Sequence, residues 1–335
     1  MEAIKIKNIP AGLSYLADNI KQKDNILGVA KKEGVRWAKD LYLPEGKETI
    51  FFAGCGYQFN SKLESLMSLI RKMDKSFVGA DLAMSLASFQ KKLKLDGMFL
   101  KVVGGGGKED GQPLKDAIRV LQRLGENPTY LAEEEPCCGG LLHYIGLEEE
   151  FIQHAHKVSS ILKSKGVKKI ISIVPFCTYT LRKLIADASG DTEFQVKHFC
   201  EVVAENINSL HLQFPKECKV TYHDPCQLVR YLGLVDEPRK ILRAIRGIEF
   251  VEPKWTKGEW STCCGGGGGF EAVFPEISEM LAVNRAKELL ETGAQIIVTH
   301  CPGCIMQIEA GLKALKVEDV EVLDLAEVTA MSMGV

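Results

Sequence analysis

One spacing pattern occurs twice in this chain and restricts its fold more than any other feature. An apolar run leads into a single cysteine, a Cys-Cys pair followed by glycine comes later, and a second apolar run leads into a further cysteine. In the C-terminal copy, "KVTYHDPCQL" brings in Cys226, "STCCGGGGGF" carries Cys263 and Cys264, and "IIVTHCPGC" supplies Cys301 and Cys304, with 36 residues in each gap. In the N-terminal copy, "ETIFFAGCGYQF" brings in Cys55, "EEEPCCGG" carries Cys137 and Cys138, and "IISIVPFCTYT" supplies Cys177. The segments before the two pairs, "QPLKDAIRVLQRLGENPTYL" and "EPRKILRAIRGIEFVEP", align as well. Self-similarity on this scale means one supersecondary unit used twice. The predicted fold class is α/β, with two pseudo-symmetric repeats and cysteine loops at strand ends.

The apolar runs at 50–52, 170–174, 219–222 and 296–299 are β-like, and a helix-like segment follows each. Open α/β sheets collect ligands beyond the carboxyl ends of their strands, where these cysteines fall. The predicted organisation is a helical lead-in over 1–49, a first repeat over 50–205 and a second over 215–335. Cys55 stands 81 residues before its pair, so the first repeat carries an insertion near 61–111. Aligned on the C-x-x-C spacing, Cys177 falls opposite Cys301 and Thr180 opposite Cys304, which leaves repeat one short of a ligand. In "HDPC", Asp224 reads as an N-cap and Pro225 as the first helical residue, placing Cys226 at a helix start whose dipole favours a thiolate.

Adjacent cysteines make strained disulfide partners, so the pairs call for other chemistry. A net charge of −2 on 335 residues argues against a nucleic-acid binder. The opening "MEAIKIKNIP" lacks a secretion-signal core, and no apolar run reaches the roughly 18 residues of a spanning helix. A cytoplasmic setting follows, and 11 cysteines there point to metal or redox chemistry. Structural zinc takes four ligands, commonly from two C-x-x-C knuckles, whereas each copy here offers at most one knuckle plus a vicinal pair. An iron–sulfur cluster at Cys226, Cys263, Cys264, Cys301 and Cys304 suits that set better, with zinc the alternative. Gly265 and Gly266 would let backbone N–H groups approach cluster sulfur. His143, His223 and His300 lie beside cysteines and are candidate proton donors to a departing thiolate. Cys200 and Cys218 fall outside both series and read as buried fillers. "KVVGGGGKED" lacks the glycine and hydroxyl positions of a phosphate loop and reads as a connector. The lysine-studded apolar stripe over 91–101 reads first as a helix packed on its own domain, with a partner surface or membrane contact as the other readings.

The pattern carried by "HDPC", "STCCGGGGG" and "HCPGC" resembles the cysteine-rich CCG domain found in the B-type component of heterodisulfide reductase, in its D-type counterparts and in their fused relatives in lactate, glycolate and glycerol-3-phosphate oxidation. The lead-in "DNILGVAKKEGVRWAKDLYLPEGKETIFFAGC" is similar to the linker that joins a ferredoxin domain to the first CCG unit in the fused relatives. The resemblance implies a non-cubane 4Fe–4S cluster on the five repeat-two cysteines, and disulfide cleavage in two one-electron steps. Repeat one, with Cys55, Cys137, Cys138 and Cys177, would hold a conventional 4Fe–4S cluster, zinc or nothing. The chain lacks a ferredoxin run and a dinucleotide fingerprint, so electrons would come from a ferredoxin-like iron–sulfur subunit and a flavoprotein subunit. The implied substrates are a small disulfide or thiol, or a lipoyl group. Membrane contact would be at most peripheral, on the inner face through partners. Alternatives are an electron relay in a quinone-linked dehydrogenase complex, or a non-catalytic scaffold or redox sensor.

Overall fold

A computed structural model describes residues 9–46, 48–66, 111–190 and 193–335. The lysine stripe and the glycine run near 104 lie outside them. The first sheet contains β1 (Thr49–Phe52), β2 (Thr129–Tyr130), β3 (Lys169–Ser172) and β4 (Gln195–His198), in the order β2-β1-β3-β4. The second contains β5 (Gln213–Tyr222), β6 (Arg246–Val251), β7 (Ile296–Thr299) and β8 (Glu321–Asp324), in the order β6-β5-β7-β8. Every pairing is parallel. Two parallel sheets with the same strand order, each with its order of connection reversing between its first and third strands, are the predicted α/β pseudo-repeat.

The sequence explains why these segments pair as they do. Phe51, Phe52, Ile170, Ile171, Ile297 and Val298 are wholly buried, as expected for central strands covered by helices on both faces. The helix Gln112–Arg123 turns Leu114, Ala117, Ile118 and Leu121 inward at one-turn spacing and keeps Arg119 and Arg123 on its exposed side. The fourth strand of each sheet ends in a capping box. His198 accepts from Cys200 N while Glu201 accepts from His198 N, and Asp324 with Glu327 repeats the arrangement before the helix Leu325–Met333.

These matched ends allow the repeats to be aligned by structure. Ser172 pairs with His198, and Thr299 pairs with Asp324, so Ser172 and Thr299 are equivalent. Proline then opens the next helix at the same distance in both copies, as Pro175 in Pro175–Tyr179 and Pro302 in Pro302–Ala314. Val-Pro-Phe-Cys at 174–177 therefore overlies Cys-Pro-Gly-Cys at 301–304. This corrects the alignment drawn from cysteine spacing: Cys177 matches Cys304, and the missing thiol of repeat one is at Val174. Thr180 matches Gln307 instead. A Cβ at Gly140 would stand 2.3 Å from Thr180 Oγ1, and one at Gly266 would stand 2.7 Å from Gln307 Cγ.

Asp224 also departs from expectation. It is wholly buried, pairs through both oxygens with Arg239 at 2.8 and 2.9 Å, and accepts Gly258 N–H. It thus ties its own loop to the helix Asp236–Ala244 and to the turn at Gly258, and caps no helix. Cys226 instead starts a single wide turn over Gln227–Tyr231. Cys200 is buried as expected, whereas Cys218 is only half-buried on β5.

The lead-in folds as Ala11–Lys23 and Lys31–Gly34 and reaches both repeats. Leu13 packs where a Cβ on Gly269 would stand, at 2.2 Å, and Lys31 Nζ donates to Glu135 O at 2.9 Å. Between the repeats, the His198 and His300 rings meet edge to face at 4.7 Å, and Tyr57 donates to Asp324. Among the described residues no helix is long and apolar enough to cross a membrane.

Candidate metal centre

The carboxyl ends of both sheets open into one cavity of about 410 Å³. Cys55, Cys137, Cys138 and Cys177 reach it from repeat one, and Cys226, Cys301 and Cys304 reach it from repeat two. Cys263 and Cys264 stand behind the latter on the glycine loop, Cys263 exposed and Cys264 buried.

In repeat one the thiols touch in series. Cys55 Sγ lies 3.6 Å from Cys137 Sγ, Cys137 hydrogen-bonds Cys138, and Cys138 hydrogen-bonds Cys177. The hydrogen bond to Cys137, and then burial, hold the Cys55 thiol well above its ordinary pKa. The surrounding shell is built from charged groups. His154 Nε2 meets Cys137 O at 2.8 Å, Asp24 accepts Cys137 N–H, and Glu135 accepts the N–H groups of Ala53 and Gly54. Burial raises the Glu135 carboxyl to about 7.

In repeat two Cys264 Sγ and Cys304 Sγ are 3.3 Å apart, and Gly265 N–H points at Cys263 Sγ at 3.3 Å. Hydrogen bonds from Cys263, Cys304 and His223 favour the ionised form of Cys264, whose pKa falls well below the usual thiol value. The His223 tautomer follows from its partner. Arg285 Nε can only donate, so His223 Nδ1, 2.9 Å away, accepts, and the proton sits on Nε2 to serve Cys264. Cys226 is raised to about 11 by burial and by the neighbouring Cys301. Cys264 thus favours the thiolate while Cys226, Cys263 and Cys304 are shifted toward the thiol, an arrangement that a bound cation would ionise with release of protons.

The glycines have separate causes. Gly265 has φ +88°, and a Cβ there would strike Ser278 O at 2.4 Å; its counterpart Gly139 has φ +75° and is blocked by the His154 ring at 2.3 Å. Both are fixed by a helix packed behind the pair. Gly266 lines the cavity.

Two of the histidines fall elsewhere. His300 is buried with Nδ1 2.7 Å from Asp324 Oδ1 and its ring against that of His198 of repeat one, and it does not line the cavity. His143 pairs with Glu148 at 2.8 Å on a partly exposed helix. The spacing argument missed Val174, which the shared proline could have revealed. It also missed Arg285, Glu135 and Asp24, which no motif marks.

The residues fit a multinuclear centre better than a single ion. Four sulfurs around one zinc would lie roughly 3.8 Å apart, given Zn–S bonds of about 2.3 Å. Among the described residues only His223, Cys264 and Cys304 bring three candidate ligand atoms within 4.8 Å of one another. The remaining thiols are spread over a longer path, as a cluster several atoms across requires.

A fold of this kind, with paired cysteines after the second strand of each half, defines the class. Residues 106–182 and 220–309 match the family model of the CCG cysteine-rich domain, so the chain carries that domain twice. Its curated relatives are longer proteins. The D-type component of dihydromethanophenazine:CoB–CoM heterodisulfide reductase from Methanosarcina barkeri is 34% identical over 64% of this chain and 54% of its own length. The EtfAB:quinone oxidoreductase of Syntrophomonas wolfei is 33% identical over 64% of this chain and 31% of its own. The B-type component of fumarate reductase (CoM/CoB) from Methanothermobacter marburgensis is 31% identical over 64% and 42%. The chain therefore spans about half or less of these relatives.

Proposed function

We propose that this chain is an iron–sulfur subunit of an oxidoreductase complex, in which repeat two reduces, or passes electrons to, a disulfide at the shared cavity. Cys226, Cys263, Cys264, Cys301 and Cys304 would hold a non-cubane 4Fe–4S cluster, and Cys55, Cys137, Cys138 and Cys177 a second, four-cysteine centre. The two units would be 50–205 and 215–335, behind a lead-in over 1–49. The observation that carries this proposal is the opening of thiols from both sets into one cavity. When bound, the clusters would supply single electrons in sequence.

The protein's own groups do the rest. His223 holds a proton on Nε2 beside Cys264 and is backed by the Arg285 charge. Leu16, Ile20 and Met306 give the cavity part of its apolar lining. Reduction of a disulfide to two thiols consumes two electrons and two protons, so a partner must deliver electrons. The relatives' names as components of reductases support that need. A ferredoxin-like subunit and a flavoprotein are the proposed donors, with the assembly cytoplasmic or peripheral to the inner membrane face.

A second reading, an electron relay toward a quinone, is favoured by the EtfAB:quinone oxidoreductase match. Purification from the native host under anaerobic conditions tests the first reading, followed by electron paramagnetic resonance during titration with a disulfide. A thiol-dependent signal appearing on oxidation, in a sample that retains a redox partner, is the expected result. A lone, fully active monomer, or a spectrum unchanged by disulfide, would contradict it.

A further inference from the structure

The cavity's charge is as telling as its cysteines. At about 410 Å³ it lies within the range of roughly 300 to 1,000 Å³ typical of small-molecule sites, a space that the proposed iron–sulfur centres and a small ligand would share. Among the described residues no lysine, arginine or histidine lines it. Glu271 is the only carboxylate among the described residues of its wall, and thiolates holding a metal would add further negative charge. An anionic ligand entering it would lose its hydration and meet no cationic side chain among the described residues, a transfer that proteins avoid unless the charge is paired.

The walls specify the opposite kind of guest. Tyr144 and Phe176 stack at 5.1 Å, and Tyr231, 48% exposed, stands 6.3 Å from Tyr144 at the rim. They form an aromatic flank for a flat ring, in a wall that also includes the side-chain-free loop at Gly266. Gln227 supplies a neutral donor. Tyr144 O–H donates to Gln227 Oε1 at 3.2 Å, which fixes the amide and leaves Gln227 Nε2 with no bond to the protein among the described residues. An amide N–H recognises a neutral carbonyl.

We infer that this cavity selects an uncharged ring compound bearing a neutral carbonyl acceptor, and rejects anionic disulfides of similar size. The inference rests on the proposed function only for the ligand's being a redox partner; the selection by charge is a property of the walls.

Matched probes test it on the full chain loaded with iron. Lipoamide and lipoate share a dithiolane ring and differ in charge; menadione and its 2-sulfonate share a naphthoquinone. Calorimetric titration should show a neutral member binding about tenfold or more tighter than its anion in at least one pair, with no reversal in the other. Gln227→Leu should weaken the neutral probe about fivefold and leave the anion unchanged. Glu271→Gln should narrow the gap by improving the anion. Equal or tighter anion binding in either pair, or no binding by either neutral probe, would overturn the inference. Iron and sulfide are counted on the same sample, so a chain that binds no cluster shows as failure of the iron–sulfur proposal instead.

Discussion

After their third strands, repeat one has Val174-Pro175-Phe176-Cys177 and repeat two has Cys301-Pro302-Gly303-Cys304. The backbone does the same thing in both. An extended residue leads into a proline whose fixed φ starts the helix, and the cysteine two positions on lies buried beside its pair. The side chains do not. In repeat two a thiol occupies the N-cap and glycine keeps the next turn bare, whereas in repeat one Val174 and Phe176 fill that space with carbon. A strand–proline–helix corner forms with or without a sulfur at its N-cap, so the fold leaves ligand number free to differ between copies. Under the proposed function, repeat one would be the electron-holding neighbour and repeat two the place where bonds change.

The largest effect should come from removing a ligand at the shared centre of repeat two. Cys264→Ser takes away the sulfur on which Cys263, Cys304 and His223 converge. It should abolish that centre's spectrum and reduce disulfide turnover by more than about a hundredfold, since even outer partners of metal ligands are typically worth about 10–100-fold. Cys138→Ser, its structural counterpart, should remove only the other component and slow electron delivery. Identical losses from the two variants, read by iron content and turnover, would erase the distinction between repeats.

Next in size is Arg285→Met. Arg285 is wholly buried, and Nε fixes the His223 tautomer while Nη1 holds Thr256 and Glu288. Its loss should cost about 10–100-fold in cluster retention or turnover. It should also move the pH profile of turnover, because His223 would no longer be held with its proton on Nε2. Unchanged pH dependence would make Arg285 a purely structural group.

A smaller, matched pair of effects concerns the glycines behind each cysteine pair. Gly139→Ala and Gly265→Ala both place a Cβ at positive φ within 2.4 Å of a packed atom. Each should destabilise by roughly 1–3 kcal/mol, measured by chemical denaturation. A neutral Gly265→Ala would mean that the packed helix Pro275–Leu290 yields more readily than its contacts suggest.

Much of this was legible before any coordinates. The apolar runs ending at Phe52, Tyr222 and Thr299 have strand periodicity and length, and the doubled cysteine order required a doubled sheet. Capping boxes and register were not legible, because they depend on which strands become neighbours. That is why spacing alone placed the gap at Thr180, whose hydroxyl simply bonds back to Phe176 O at 2.8 Å. Asp224 looked like a cap because local sequence could not show Arg239 arriving from a helix 15 residues on. The common cavity is likewise a product of packing between repeats, to which His300, Asp324 and Tyr57 contribute without any motif of their own.

The most direct test of the unequal repeats is iron spectroscopy of the anaerobically isolated chain beside Val174→Cys and Thr180→Cys. Mössbauer spectra should resolve two different iron components in the unaltered protein. Val174→Cys, which restores Cys-Pro-Phe-Cys at the matching N-cap, should shift the repeat-one component toward that of repeat two, and Thr180→Cys should leave it alone. Two indistinguishable clusters in the unaltered chain, or a shift produced by Thr180→Cys and not by Val174→Cys, would contradict the assignment of the missing ligand to Val174.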